Sequence, residues 1–123
     1  MAKKVLVIDD QQFILRVIES KLKSGGLEVI TAVDGVEGLK KAFEEKPDLV
    51  MTDIMMPNLD GFGVYRELQK NPQTQKIPVI FLTALGEERE ELKELGPAAV
   101  ITKPFSPRQV LNTVNSMLNM PLN

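Results

Sequence analysis

The chain has 123 residues, 43% of them hydrophobic and 26% charged, with a formal net charge of −2 and neither cysteine nor histidine. This length suits one domain with a real core, and the charge argues against direct nucleic-acid binding, which needs a basic patch. Without cysteine there are no disulfides, thiolate catalysis or Cys-ligated zinc; without histidine there is no imidazole acid–base catalysis and no phosphohistidine within the chain.

Met1-Ala2-Lys3-Lys4 leads into Val5–Ile8, an apolar run too short for a signal-peptide core and apolar throughout, as a strand buried on both faces is. Gln11–Lys23 follows with helical period, Phe13, Ile14, Val17, Ile18 and Leu22 forming one stripe, and Gly25-Gly26 stops it. Leu27–Ala32 is a partly polar strand suited to an edge. Gly35–Lys46 reads as a helix with Val36, Leu39, Ala42 and Phe43 inward, ended by Pro47. Leu49–Thr52 is the third strand and runs into Asp53.

Asp60-Gly61 opens a helix carrying Phe62, Tyr65 and Leu68, with Asp60 as N-cap. Pro78–Leu82 is the fourth strand. Glu87–Leu95 is a short charged helix, and Ala99–Thr102 the fifth strand. Ser106-Pro107 starts the last helix, which Val110, Leu111, Val114, Met117 and Leu118 line. The longest mostly apolar run, Ile77 to Leu85, is far below the roughly 18 residues of a membrane span. A soluble, cytoplasmic protein without membrane insertion is the expectation.

Five βα repeats imply an α/β domain, a parallel sheet with helices on both faces and right-handed crossovers. Ligands of such sheets sit beyond the carboxyl ends of the strands. The polar residues at those ends therefore share one rim: Asp9 and Asp10 after the first strand, Asp53 after the third, Thr83 after the fourth and Lys103 after the fifth. Three carboxylates close together repel, and protons or a cation must relieve them. An all-oxygen set with few protein ligands suits Mg2+. Each residue also has an ordinary reading: the aspartates as helix caps, Thr83 as a β-branched strand residue, Lys103 as a solvated cation.

Asp9-Asp10, Asp53 with Pro57 and Gly61 beyond it, Thr83-Ala84 and Lys103-Pro104-Phe105, taken in order along nearly the whole chain, resemble the receiver domain of two-component response regulators. The resemblance implies a three-layer flavodoxin-like (βα)5 fold with strand order 2-1-3-4-5. It implies that Asp53 takes a phosphoryl group from a phosphohistidine on a sensor histidine kinase or phosphotransfer protein, forming an aspartyl phosphate. Asp10 and Asp53 would bind Mg2+ directly, Asp9 largely through water, and the backbone carbonyl of Met55 would be a further ligand. Lys103 would neutralise phosphoryl charge, and Thr83 would hydrogen-bond the attached group.

Residues 1–123 are expected to be a single, stand-alone receiver domain of the chemotaxis-regulator kind, with no output domain. Such a domain signals by binding a downstream target protein, as a monomer or a weak phosphorylation-dependent dimer, and is not a turnover enzyme. The alternative is a phosphorylation-independent adaptor with a receiver fold. A Mg2+-dependent hydrolase acting on a small molecule ranks lower, because the chain lacks a glycine-rich phosphate cradle and a lid.

Three features depart from the family pattern. Val100 stands where many receivers carry an aromatic residue three positions before the lysine. With no aromatic there, the signal is expected to leave through the backbone after Thr83 and the short fourth helix; the segment from Thr83 to Lys103 is also roughly two residues short, and its run of Glu87, Glu88, Glu90 and Glu91 suits a solvated face. Met55 and Leu85 flank the path of the hydrolytic water with side chains that cannot activate it, which implies a long-lived aspartyl phosphate.

Overall fold

A strand that is apolar on both faces is stable only where helices cover both faces of its sheet, and the chain satisfies this with three layers. The computed structural model describes residues 2–84 and 90–119. Strands β1 (Lys4–Ile8), β2 (Glu28–Ala32), β3 (Leu49–Asp53), β4 (Val79–Ala84) and β5 (Ala99–Lys103) alternate with helices α1 (Gln12–Ser24), α2 (Gly35–Glu45), α3 (Gly61–Lys70), α4 (Glu90–Leu95) and α5 (Pro107–Met117). The strands form one parallel sheet in the order β2-β1-β3-β4-β5. This is the flavodoxin-like arrangement expected from the sequence, with β2 on an edge.

Successive strand residues point to opposite faces and divide the core in two. Val5, Val7, Leu49, Met51, Ile80, Leu82 and Ile101 meet Leu15, Ile18 and Leu22 of α1 and Val110, Leu111 and Val114 of α5. On the other face, Leu6, Ile8, Val50, Val79 and Phe81 meet Ala42 of α2 and Phe62, Val64 and Leu68 of α3, with Leu92 and Leu95 of α4 half-buried against them. Phe81 touches Phe62 and Tyr65 edge-on, with ring centroids 5.5 and 5.8 Å apart. Each fully buried aliphatic or aromatic side chain contributes on the order of 2 kcal/mol.

Helix boundaries follow local chemistry. Asp34, Asp60 and Ser106 are N-caps whose side chains accept from the backbone N–H groups of Glu37, Gly63 and Gln109, and Pro107 begins α5. The helix faces hold corrections. Phe13, expected on the apolar stripe of α1, is 75% exposed, and the stripe is instead Leu15, Ile18 and Leu22. Phe13 precedes Leu15 by two residues, about 200° around a helix. Val36, expected inward, is exposed as well, because the buried side of α2 is Gly35, Gly38 and Ala42. A Cβ on Gly38 would overlap Ile8 of β1, so α2 lies too close to the sheet for a larger residue. Glycine carries no apolar signal, and the visible hydrophobic periodicity is turned away from the true contact face.

The fourth helix was expected over Glu87–Leu95; its described part is Glu90–Leu95, and Leu85, Glu87 and Glu88 lie outside the described residues. No helix among the described residues is long and apolar enough to cross a membrane.

Gly61 ties α3 to the end of β3. Its N–H donates to Ile54 O at 2.8 Å, and a Cβ at this position would overlap the carbonyl oxygen of Asp53 and sit 2.9 Å from Ile54 Cα. Both obstacles are backbone and cannot rotate aside. Gly61→Ala is therefore expected to lower stability by about 1–3 kcal/mol, read as a lower urea midpoint at unchanged m-value; an unchanged midpoint would show that the β3–α3 junction yields freely.

Candidate functional site

The carboxyl ends of β1, β3 and β5 bring Asp9, Asp10, Asp53 and Lys103 together. Asp53 is the last residue of β3 and Lys103 the last of β5, whereas Asp9 and Asp10 follow β1 directly. Carboxylate oxygens from Asp9, Asp10 and Asp53 lie within 4.8 Å of one another. Lys103 Nζ stands 3.2 Å from Asp9 Oδ2 and 3.3 Å from Asp53 Oδ2. Two buried carboxylates thus share one ammonium, while Asp10 is exposed.

Asp9 is inaccessible and fully engaged: Oδ1 accepts from Gln11 N–H at 2.9 Å, and Oδ2 accepts from Lys103. Neither aspartate caps α1; Gln11 occupies the N-cap position and its side chain makes no capping bond. The residues lining the cleft at this rim are Asp10, Gln11, Asp53, Met55, Ala84 and Lys103, around a volume of about 320 Å³. Sequence reasoning did not single out Gln11. Its only signal was position, directly after the aspartate pair.

Thr83 lies one residue beyond the partner of Asp53, because Asp53 aligns with Leu82 in the β3–β4 ladder. It is buried, it does not line the cleft, and its hydroxyl donates to Ala84 O at 3.3 Å. The expected hydroxyl on the rim is therefore present in register but turned into the backbone. Met55 stands at the lip, half exposed, and Val100 on β5 is also exposed.

Burial raises the Asp53 carboxyl from the ordinary 3.8 to about 6; the charge of Asp9 adds to this, and Lys103 opposes it. Asp9 is raised too, chiefly by burial, against the pull of the Gln11 N–H and Lys103. The pull of the single lysine therefore does not offset the cost of burying these two carboxylates. An all-carboxylate donor set in which two groups are held back from water fits a hard divalent cation such as Mg2+.

The same shift makes the site a stability cost in the absence of divalent cations. The folded pKa of Asp53 lies above the unfolded one, so its contribution worsens as pH rises from about 4 to about 6 and is constant above that. Asp53→Asn is expected to be more stable than the parent at about pH 7.5, by on the order of 2 kcal/mol. The gap should narrow as pH falls through about 6 and close below the unfolded pKa of 3.8, where Asp53 is protonated in both states. Urea titrations in EDTA at the two pH values measure it, and a gap independent of pH would refute the account.

The matched family model is the response regulator receiver domain, over residues 5–115. The chain is 45% identical over 120 residues to the alkaline phosphatase synthesis transcriptional regulatory protein PhoP of Bacillus subtilis, covering 96% of this chain and 49% of that protein. It spans about half the length of the curated relatives it matches. Among solved structures it resembles the chemotaxis response regulator CheY4 of Vibrio cholerae, with a TM-score of 0.88, 30% identity and coverage of 95% of this chain and 99% of that one. It also resembles the receiver domain of the Francisella response regulator 1452, with a TM-score of 0.85, 35% identity and coverage of 95% and 97%. Fold, rim and family match agree, and the chain belongs to the response regulator receiver domain family.

Proposed function

We propose that the protein is a phosphoacceptor in two-component or phosphorelay signalling and that Asp53 is the acceptor. The observation that carries this reading is the bridge of Lys103 between Asp9 and Asp53 at the mouth of a carboxylate-lined cleft. Asp53 is ionised at neutral pH, since its pKa is about 6, and one of its oxygens attacks the phosphorus of a phosphohistidine on a sensor kinase or phosphotransfer protein. The P–N bond breaks, the electron pair leaves with the imidazole, and an aspartyl phosphate forms.

Asp10 and Asp53, with the backbone carbonyl of Met55, would hold Mg2+ directly. Asp9, whose oxygens are both engaged inside the protein, would act at one remove. When bound, the cation supplies charge neutralisation for the phosphoryl oxygens. Lys103, already against an Asp53 oxygen, supplies a second positive charge and passes from the carboxylate to the phosphoryl group. Thr83 then serves as a hydrogen-bond donor after its hydroxyl leaves Ala84 O. The phosphorylated surface is read by a target protein, and the domain does not turn over a small-molecule substrate.

Two observations favour the adaptor reading over a switch: the inward turn of the Thr83 hydroxyl and the exposed Val100 at the usual aromatic position. One experiment separates the two. Incubation with Mg2+ and acetyl phosphate should add one phosphoryl group by intact mass, dependent on the metal and absent in Asp53→Ala; no gain in the parent supports the adaptor. Phosphate loss from the parent in the presence of Mg2+ should then be slow, and faster in Met55→Asn/Leu85→Glu, whose polar side chains can order a water. Equal rates would show that these positions do not set the lifetime.

A further inference from the structure

Lys103 is the only cation reaching the carboxylates among the described residues, and three acceptors surround its ammonium: Asp9 Oδ2 at 3.2 Å, Asp53 Oδ2 at 3.3 Å and Gln11 Oε1 at 3.4 Å. An ammonium has three hydrogens to give. Two of the acceptors are charged and belong to the strand ends. The third is a neutral amide on the N-cap residue of α1.

That residue is out of place by the rules of helix capping. Gln11 holds the N-cap position with extended backbone (φ −93°, ψ 105°) and makes no side-chain cap, where serine, threonine, aspartate or asparagine would satisfy an orphan N–H. The other capped helices, α2, α3 and α5, use Asp34, Asp60 and Ser106 in the ordinary way. At α1 the capping bond is forgone, and the side chain lies in the cleft against Lys103. A local rule broken at one helix start, with the side chain redirected to the cleft, has the mark of a functional constraint.

The geometry points to Gln11 as a positioning residue for Lys103, holding its ammonium over Asp53 during phosphoryl transfer. This rests on the reading of Asp53 as phosphoacceptor. Without the amide, Lys103 has two anchors, and Asp9 is fully buried with its other oxygen held by the Gln11 N–H. The ammonium would then settle toward Asp9 and away from the oxygen that becomes the phosphoester. A carboxylate in place of Gln11 would hold Lys103 more strongly, but it would add negative charge to a cleft that must admit an anionic donor. A neutral acceptor of this length anchors the lysine without repelling the phosphoryl group. Its backbone N–H, which supports Asp9, remains in any non-proline substitution.

Gln11→Ser separates this role from a structural one, because serine is a good N-cap yet too short to reach Lys103. The second-order rate of phosphorylation by acetyl phosphate should fall about three- to tenfold, the loss of one ordinary hydrogen bond in the transition state. Mg2+ affinity should match the parent's, and the melting temperature should equal or exceed it. A parent-like rate overturns the assignment and leaves Asp53 as acceptor untouched. Slowing in proportion to weakened Mg2+ binding overturns it as well, because the effect then runs through the carboxylates. A parent that gains no phosphoryl group at all removes the underlying reading.

Discussion

One ammonium makes this rim possible. Asp9 and Asp53 are both buried, and two buried carboxylates facing each other would take up protons or drive the strand ends apart. Lys103 comes from β5, an edge strand, and reaches past the ends of β4 and β3 to an aspartate that follows β1. It thereby links three strands that are distant in sequence, at the carboxyl end of the sheet. The compensation is incomplete, as the raised pKa values of both aspartates record. A donor set left in this condition is the kind that suits a hard divalent cation.

The packing below the rim explains why its geometry holds. Every residue of β3 is buried, and Ile54 beyond it is sealed as well. The Ile54 N–H donates to Leu82 O, the Gly61 N–H returns to Ile54 O, and α3 therefore starts against the very peptide that carries Asp53. Glycine at residue 61 is demanded by this approach. A side chain there would press on main chain, whereas the methyl groups that Gly38 excludes belong to the side chain of Ile8.

The far side of the site is built differently. Tyr65 on α3 packs its ring on Phe81 of β4 and donates its hydroxyl to the carbonyl of Leu95 at the end of α4. Phe81 is two residues before Thr83. The aromatic contacts beneath the fourth strand therefore come from α3, and β5 presents Val100 to solvent instead of a ring. The short helix α4 packs on the core of this sheet face through Leu92 and Leu95.

Much of this was legible in the sequence for a simple reason. Strand burial on both faces, helix period and cap chemistry are local, so the βα alternation, the caps at Asp60 and Ser106 and the polar strand ends could be read directly. The rim followed because a parallel sheet aligns all carboxyl ends on one side. Helix faces were less legible: Phe13 and Val36 belong to apparent stripes, yet the inward side of α2 is largely glycine, which no hydrophobic pattern reveals. Local chemistry thus determined which residues stand at the rim. Only the tertiary structure decided how they face one another. It set the sharing of Lys103 and the placement of Gln11 in the cleft, because each depends on distances between strand ends that no local pattern records.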